Sequence, residues 1–179
     1  MDVFSRIEVF SMADNTHEFV VDIRRCACVV KGGRRFSFSA LVVVGDGRGR
    51  CGVGYGKGPE VPQAVEKAVK QASAKMESFS LVSRGGVVTF PHRSLAKNGA
   101  SRVILMPASA GTGLIAGGCV SAVLKALGIT DALSKSLGSN NPITLVRATV
   151  DAIRRMQLHS DVVAMRGGGA RRDLGTKDA

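Results

Sequence analysis

The residues able to do chemistry in this chain fall into small groups, and most lack the company that catalysis requires. Cys26 and Cys28 form a C-x-C pair that a strand would turn to one face, while Cys51, Cys119 and the histidines at 17, 92 and 159 are scattered. Zinc takes ligands at tighter spacing, so the cysteines read as free thiols in a reducing compartment, and no metal or other cofactor is expected. Gly47-x-Gly49-x-x-Gly52 satisfies the GxGxxG of dinucleotide sites. It falls between two strand-like runs, whereas that fingerprint needs a strand before it and a helix after it. Gly56-Lys57 lies one residue short of P-loop spacing from Gly52, and Gly58 replaces the hydroxyl residue. Ser94-x-x-Lys97 matches a β-lactamase-type pair by letters alone, and Asn98 and Gly99 make it a loop. The serious phosphate-cradle candidate is the run Pro107 to Leu114, which leads into a helix near Gly117. Free N–H groups and a helix dipole would converge on an anion there. A small nucleotide-binding kinase could use Gly111–Gly113 in this way, but it also needs a magnesium-binding acid and a base. Between residues 84 and 157 only Asp131 and Asp151 are carboxylates.

Basic side chains give a stronger signal. From Arg24 to Lys57 the chain carries Arg24, Arg25, Lys31, Arg34, Arg35, Arg48, Arg50 and Lys57 against Asp46 alone. Solvated turn charges would have acids mixed among them. Cations at strand ends, beside glycine turns with accessible backbone N–H groups, suit a surface that tracks phosphates. RNA is preferred to DNA on shape. No basic amphipathic helix is available for a major groove, whereas a β-meander with basic loops suits the minor groove of A-form RNA. Phe36, Phe38 and Tyr55 could offer stacking surface, with the core claiming at least one of the two phenylalanines, which share a strand face.

These residues need elements to position them. The 179-residue chain has a formal charge of +11, 45% apolar residues, 4% aromatics and no Trp. That composition supports a real core, attraction to polyanions and little stacked aromatic surface. No apolar run approaches a bilayer span, and no long apolar stretch opens the chain, so no membrane partner and a cytoplasmic location are expected. Glu18 to Val30, Phe36 to Val44 and Arg50 to Lys57 read as strands, joined by turns at Lys31–Arg34 and Asp46–Gly47. A helix follows with Pro62 at its start and Val61, Val65, Ala68, Val69, Ala72 and Met76 on its buried face. After Ser83–Gly86 come strands at Val87–Phe90 and Arg102–Met106 and a helix from about Gly117 to Leu127 closed by Gly128. Ile129 to Leu137 fits strand or helix. The last helix has Asn141 as its cap and Ile143, Val146, Val150, Ile153 and Met156 as its stripe. The expected organisation is therefore α+β: a lead-in at 1–16, a meander with helix at 17–80, a small α/β domain at 84–157, and a flexible cationic tail at 158–179.

Long ordered blocks in this sequence resemble a known family. VKGGRRFSFSALVVVGDGRGRCGVGYGKGPEVPQAVEKA (30 to 68) is similar to the N-terminal domain of ribosomal small-subunit protein five. GASRVILMPASAGTGLIAGG (99 to 118) and GSNNPITLVRATVDAI (138 to 153) resemble its C-terminal domain. The resemblance implies a double-stranded-RNA-binding-like domain followed by a β-α-β type domain shaped like that of the galactokinase and homoserine kinase superfamily. It implies a structural protein without turnover, bound to small-subunit ribosomal RNA and neighbouring small-subunit proteins four and eight. It further implies a place on the channel through which mRNA enters, with influence on mRNA unwinding and decoding accuracy. Lys31, Gly32, Gly33 and Arg34 match the family's RNA-approaching hairpin loop. Arg24, Arg25, Arg35, Arg48, Arg50, Tyr55 and Lys57 fall in its RNA-facing region, and Phe36 is expected to join them as stacking surface. His92 and Arg93 open a second RNA-approaching loop, and Ser101, Arg102 and Val103 lie near the edge presented to protein four. A freestanding RNA chaperone is the remaining class, distinguished by RNA binding without stable ribosome association.

Overall fold

The computed structural model describes residues 16–84 and 86–166. The first fifteen residues of the expected lead-in, and the tail beyond 166, lie outside the described residues. Strands β1 (His17–Val30), β2 (Gly33–Gly45) and β3 (Arg50–Gly58) form an antiparallel meander, followed by helix α1 (Val61–Ala74) and a short β4 (Glu77–Ser78). The Lys31-Gly32 turn joins β1 to β2 in tight register, with Val30 opposite Gly33. A small hairpin of β5 (Val82–Arg84) and β6 (Val87–Thr89) comes next. The second half comprises β7 (Ser94–Asn98), β8 (Ser101–Pro107), β9 (Leu114–Ile115), α2 (Gly118–Leu127), β10 (Ala132–Gly138), α3 (Pro142–Arg154) and α4 (His159–Met165). Its sheet runs in the order β7-β8-β10-β9.

The elements stack as α1, first sheet, α2 with α3, second sheet. The run Ala40 to Val44 is buried throughout because β2 is covered on both faces. Ala40, Val42 and Val44 face α1, while Leu41 and Val43 join the core that contains α2 and α3. The glycines of β3 explain how closely α1 can lie. A Cβ on Gly52, Gly54 or Gly56 would stand 2.1, 1.9 or 2.1 Å from the carbonyl oxygen of Ala72, Ala68 or Ala64. Alternate glycines therefore leave a flat track on which the alanine face of α1 rests. The buried face of α1 is accordingly Ala64, Ala68 and Ala72, with Val65 and Val69 packed only partly against it, rather than the valine-rich stripe the periodicity predicts.

Several sequence expectations are corrected here. Ser94 to Asn98 is strand β7, not a loop: Ser94 is buried, donates its hydroxyl hydrogen to Ala152 O at 2.8 Å, and ties the strand to α3. Ile129 to Leu137 resolves largely into β10. The tail begins with about two helical turns in α4, although none of that helix is buried. Asn141 occupies the N-cap of α3 without a side-chain cap; instead the Thr144 hydroxyl donates to its carbonyl at 3.0 Å.

Candidate nucleic-acid interface

The β1–β2 hairpin outgrows the sheet. Strand β3 pairs with β2 only from Phe38 to Gly45, so Cys26–Val30 and Gly33–Ser37 continue as a two-stranded ribbon about 17 Å long. Lys31, Gly32, Gly33, Arg34, Arg35 and Phe36 are exposed on it. The ribbon has two faces. Arg25, Arg34 and Phe36 lie on the side of α1, where the Arg25 guanidinium sits 4.6 Å from the Phe36 ring centre. Arg24, Cys26, Cys28 and Arg35 lie on the other side, and the sheet continues that face through Tyr55 and Lys57. Arg24 is already engaged, its Nε donating to Asp22 at 2.6 Å. Val29 and Val30 add apolar surface, 75% and 49% exposed. Phe38, by contrast, packs against the α1 core.

Arg48 and Arg50 do not join this group. Arg48 lies in the β2–β3 turn and Arg50 opens β3, at the far end of a 13-residue strand and so about 40 Å from the tip. There Asp46 accepts the N–H groups of Arg48 and Arg50 at 2.8 and 3.0 Å. The turn docks on the second half of the chain, with Gly47 N–H and Gly49 N–H donating to the carbonyls of Ala126 and Leu127. Both arginine side chains are exposed, but they belong to a separate patch.

His92 has a structural post. Gln157 N–H donates to its Nε2 at 3.3 Å, which leaves Nδ1 as the protonated nitrogen donating to Arg93 O at 3.0 Å. The ring thus holds the segment between α3 and α4, while Arg93 stays exposed. The three residues expected near a protein-partner edge lie within the second sheet. Strand β8 is interior to its sheet, paired on both sides. Ser101 and Val103 are fully buried, and the Ser101 hydroxyl lies 2.8 Å from Ser139 O and 2.7 Å from Thr144 Oγ1. Of the three, only Arg102 faces outward.

The glycine loop from Pro107 to Leu114 is closed by the chain itself. Asp131, 5% exposed, accepts Gly113 N–H at 2.7 Å. That bond, the Thr130 hydroxyl and the N–H groups of Gly111 and Thr112 hold its carboxyl below the ordinary aspartate range. An internal carboxylate thus accepts the loop N–H groups that a nucleotide phosphate would need. Among the described residues no group of three or more His, Cys, Asp or Glu is placed to hold a metal ion.

Comparison with known proteins decides the class. Residues 16–80 match the family model described as "Ribosomal protein S5, N-terminal domain", and residues 96–166 match "Ribosomal protein S5, C-terminal domain". The chain belongs to the ribosomal protein S5 family. It is 55% identical over 148 residues to "Small ribosomal subunit protein uS5" of Rhodopirellula baltica, covering 83% of this chain and 81% of that one. Against the protein of the same name from Shewanella amazonensis the identity is 47% over 163 residues, covering 91% and 95%. Ribosomal protein S5 is a structural protein and not an enzyme. No helix among the described residues is long and apolar enough to cross a membrane.

Proposed function

We propose that this structural constituent of the small ribosomal subunit binds ribosomal RNA chiefly through its protruding β1–β2 ribbon. The observation that carries the reading is the ribbon itself. Two strands without a covering layer keep both faces, and the cations on them, open to a polyanion. Lys31 and Arg34 flank a glycine turn at the tip, where cations meet phosphates and displace counterions. Arg25, Arg35, Tyr55 and Lys57 extend the contact along both faces, and Arg93 and the Arg48–Arg50 turn reach RNA separately. Beyond RNA, the reading places the protein beside small-subunit proteins four and eight, on the channel through which mRNA enters. There it would influence unwinding and decoding accuracy in the cytoplasm; family resemblance supports these finer roles.

Sedimentation of a salt-washed lysate tests the role, and RNA titration tests the site. The protein is expected to travel with the small subunit. Replacing Lys31 and Arg34 together with Ala is expected to weaken association with small-subunit RNA and to lower the slope of log K against log salt by about 1 to 2. An unchanged slope removes the tip from the interface.

A further inference from the structure

The β1–β2 ribbon carries a pair of side chains for which phosphate contact has no use. Cys26 and Cys28 sit two residues apart on β1, opposite Ser37 and Arg35, and so share one face of the ribbon. Both are free thiols; Cys28 is exposed, and Cys26 is half-buried with its Sγ 4.0 Å from the Ser39 hydroxyl. Cys51 and Cys119 lie elsewhere, one buried in β3 and the other at the start of α2. Two residues of extended strand separate the thiol-bearing carbons by about 7 Å. A disulfide needs its Cβ atoms within about 4.5 Å, so the two sulfurs cannot join directly without bending the strand. A single ion can span them. Two metal–sulfur bonds of about 2.3 Å set in line hold sulfurs about 4.6 Å apart, so each Sγ has only to lean about 1 Å along the strand toward the other.

The surroundings decide which ion. Among the described residues no third His, Cys, Asp or Glu joins the pair. Zinc, which takes four ligands in a closed site, is left two short, and hard cations such as magnesium and calcium want oxygen. Thiolates select soft ions, and of these the monovalent d10 ions of the copper group are satisfied by two sulfurs in line. Loading such an ion releases one proton from each thiol to solvent, so the bound complex carries a single negative charge. Arg35 stands directly across from Cys28, exposed and in no ion pair among the described residues, and can meet that charge. Arg24, on the same face, is already held by Asp22. We propose that Cys26 and Cys28 form a two-coordinate site for a soft monovalent cation of the copper(I) class, with Arg35 as its counter-charge. The site belongs to the chain itself and exists whether or not the ribbon meets RNA.

The test is a competition for copper(I), kept monovalent by ascorbate without air, between the reduced full-length chain and a chromophoric copper(I) chelator. The parent is expected to withdraw one ion per chain, and X-ray absorption of the product is expected to show two sulfur neighbours. Cys26→Ser and Cys28→Ser, each alone, are expected to bind about tenfold or more weakly, since either change removes half the ligand set. Cys119→Ser is expected to bind like the parent. Arg35→Gln, which leaves both sulfurs in place, is expected to weaken binding about threefold through loss of an exposed charge partner. Neither ribbon cysteine lies in the core, so a thermal melt like the parent's is expected of both serine variants, and a melt well below it moves the comparison to Cys26→Ala and Cys28→Ala. A parent chain that leaves the ion on the chelator overturns the proposal. So does a Cys26 or Cys28 variant that binds as tightly as the parent, a count of three or more sulfurs, or an ion shared between two chains in sedimentation.

Discussion

Asp131 shows how a single side chain separates two readings of one loop. Its carboxylate does for Gly113 N–H what a substrate phosphate would otherwise do. Because its native pKa is lowered, its contribution to stability is complete above the ordinary aspartate value and disappears as the pH falls through that lowered value. Asp131→Asn is therefore expected to be less stable than the parent near neutrality, with the gap closing in acid. Urea midpoints measured from pH 7 to pH 2 check this, and a gap independent of pH counts against it. The thiols allow a second prediction at this scale. Burial, with Glu77 and Asp46 nearby, pushes Cys51 up to about 12, and burial raises Cys119 as well. Cys28 is exposed. Since the thiolate is the reactive form, a thiol-specific reagent is expected to label Cys28 first and Cys51 only when the protein unfolds. Labelling of native Cys51 at a rate like that of Cys28 would contradict its burial. Individual side chains were unevenly legible in the sequence. The density of cations marked the stretch from Arg24 to Lys57 but not that Arg48 and Arg50 stand apart from the ribbon. The burial of Ser101 and Val103 was hidden, because Ile104 and Met106 give β8 apolar residues on its outer side too, and no alternation marks which face is inside.

Among the elements, β3 and α1 make the sharpest case. The meander, its glycine hairpin and the following helix could be read from β-rich runs and from Pro62, because local backbone preference and tertiary packing agree there. What could not be read was why glycine recurs at 52, 54, 56 and 58. Turn chemistry and phosphate approach were the natural explanations in one dimension; the actual cause is the approach of a helix backbone distant in sequence. Gly54→Ala is expected to destabilise the protein by about 3 kcal/mol or to block folding, since its Cβ would stand 1.9 Å from a helix carbonyl. Gly32→Ala meets nothing within 4 Å and is expected to change stability by less than about 0.5 kcal/mol. Chemical denaturation of the two variants provides the comparison, and equal effects would undo the packing account. Strand β7 was missed for a related reason. Its bonds run to β8 and, through Ser94, to α3, partners that a local reading of Ser94–Asn98 does not contain.

At the scale of the molecule, the two halves meet through backbone as much as through side chains. A Cβ on Gly128 would stand 2.0 Å from Gly47 O, and one on Gly45 would stand 2.1 Å from Ala126 O. Across the same junction Arg154 holds Glu77 with Nη2 contacts of 2.8 and 2.6 Å. Both of those side chains are about half exposed, so Arg154→Ala is expected to cost less than about 1 kcal/mol by thermal or urea unfolding. A much larger loss would mean that this ion pair, and not the glycine contacts, holds the junction. Strand β2, covered on both faces, and a turn locked onto the end of α2 leave little freedom for one half to swivel on the other. The protein then behaves as a fixed calliper: one jaw is the basic ribbon, the other the second half of the chain, and the gap between them is set before either touches anything. If the ribbon binds RNA as proposed, that one contact also fixes where the second half of the chain must lie.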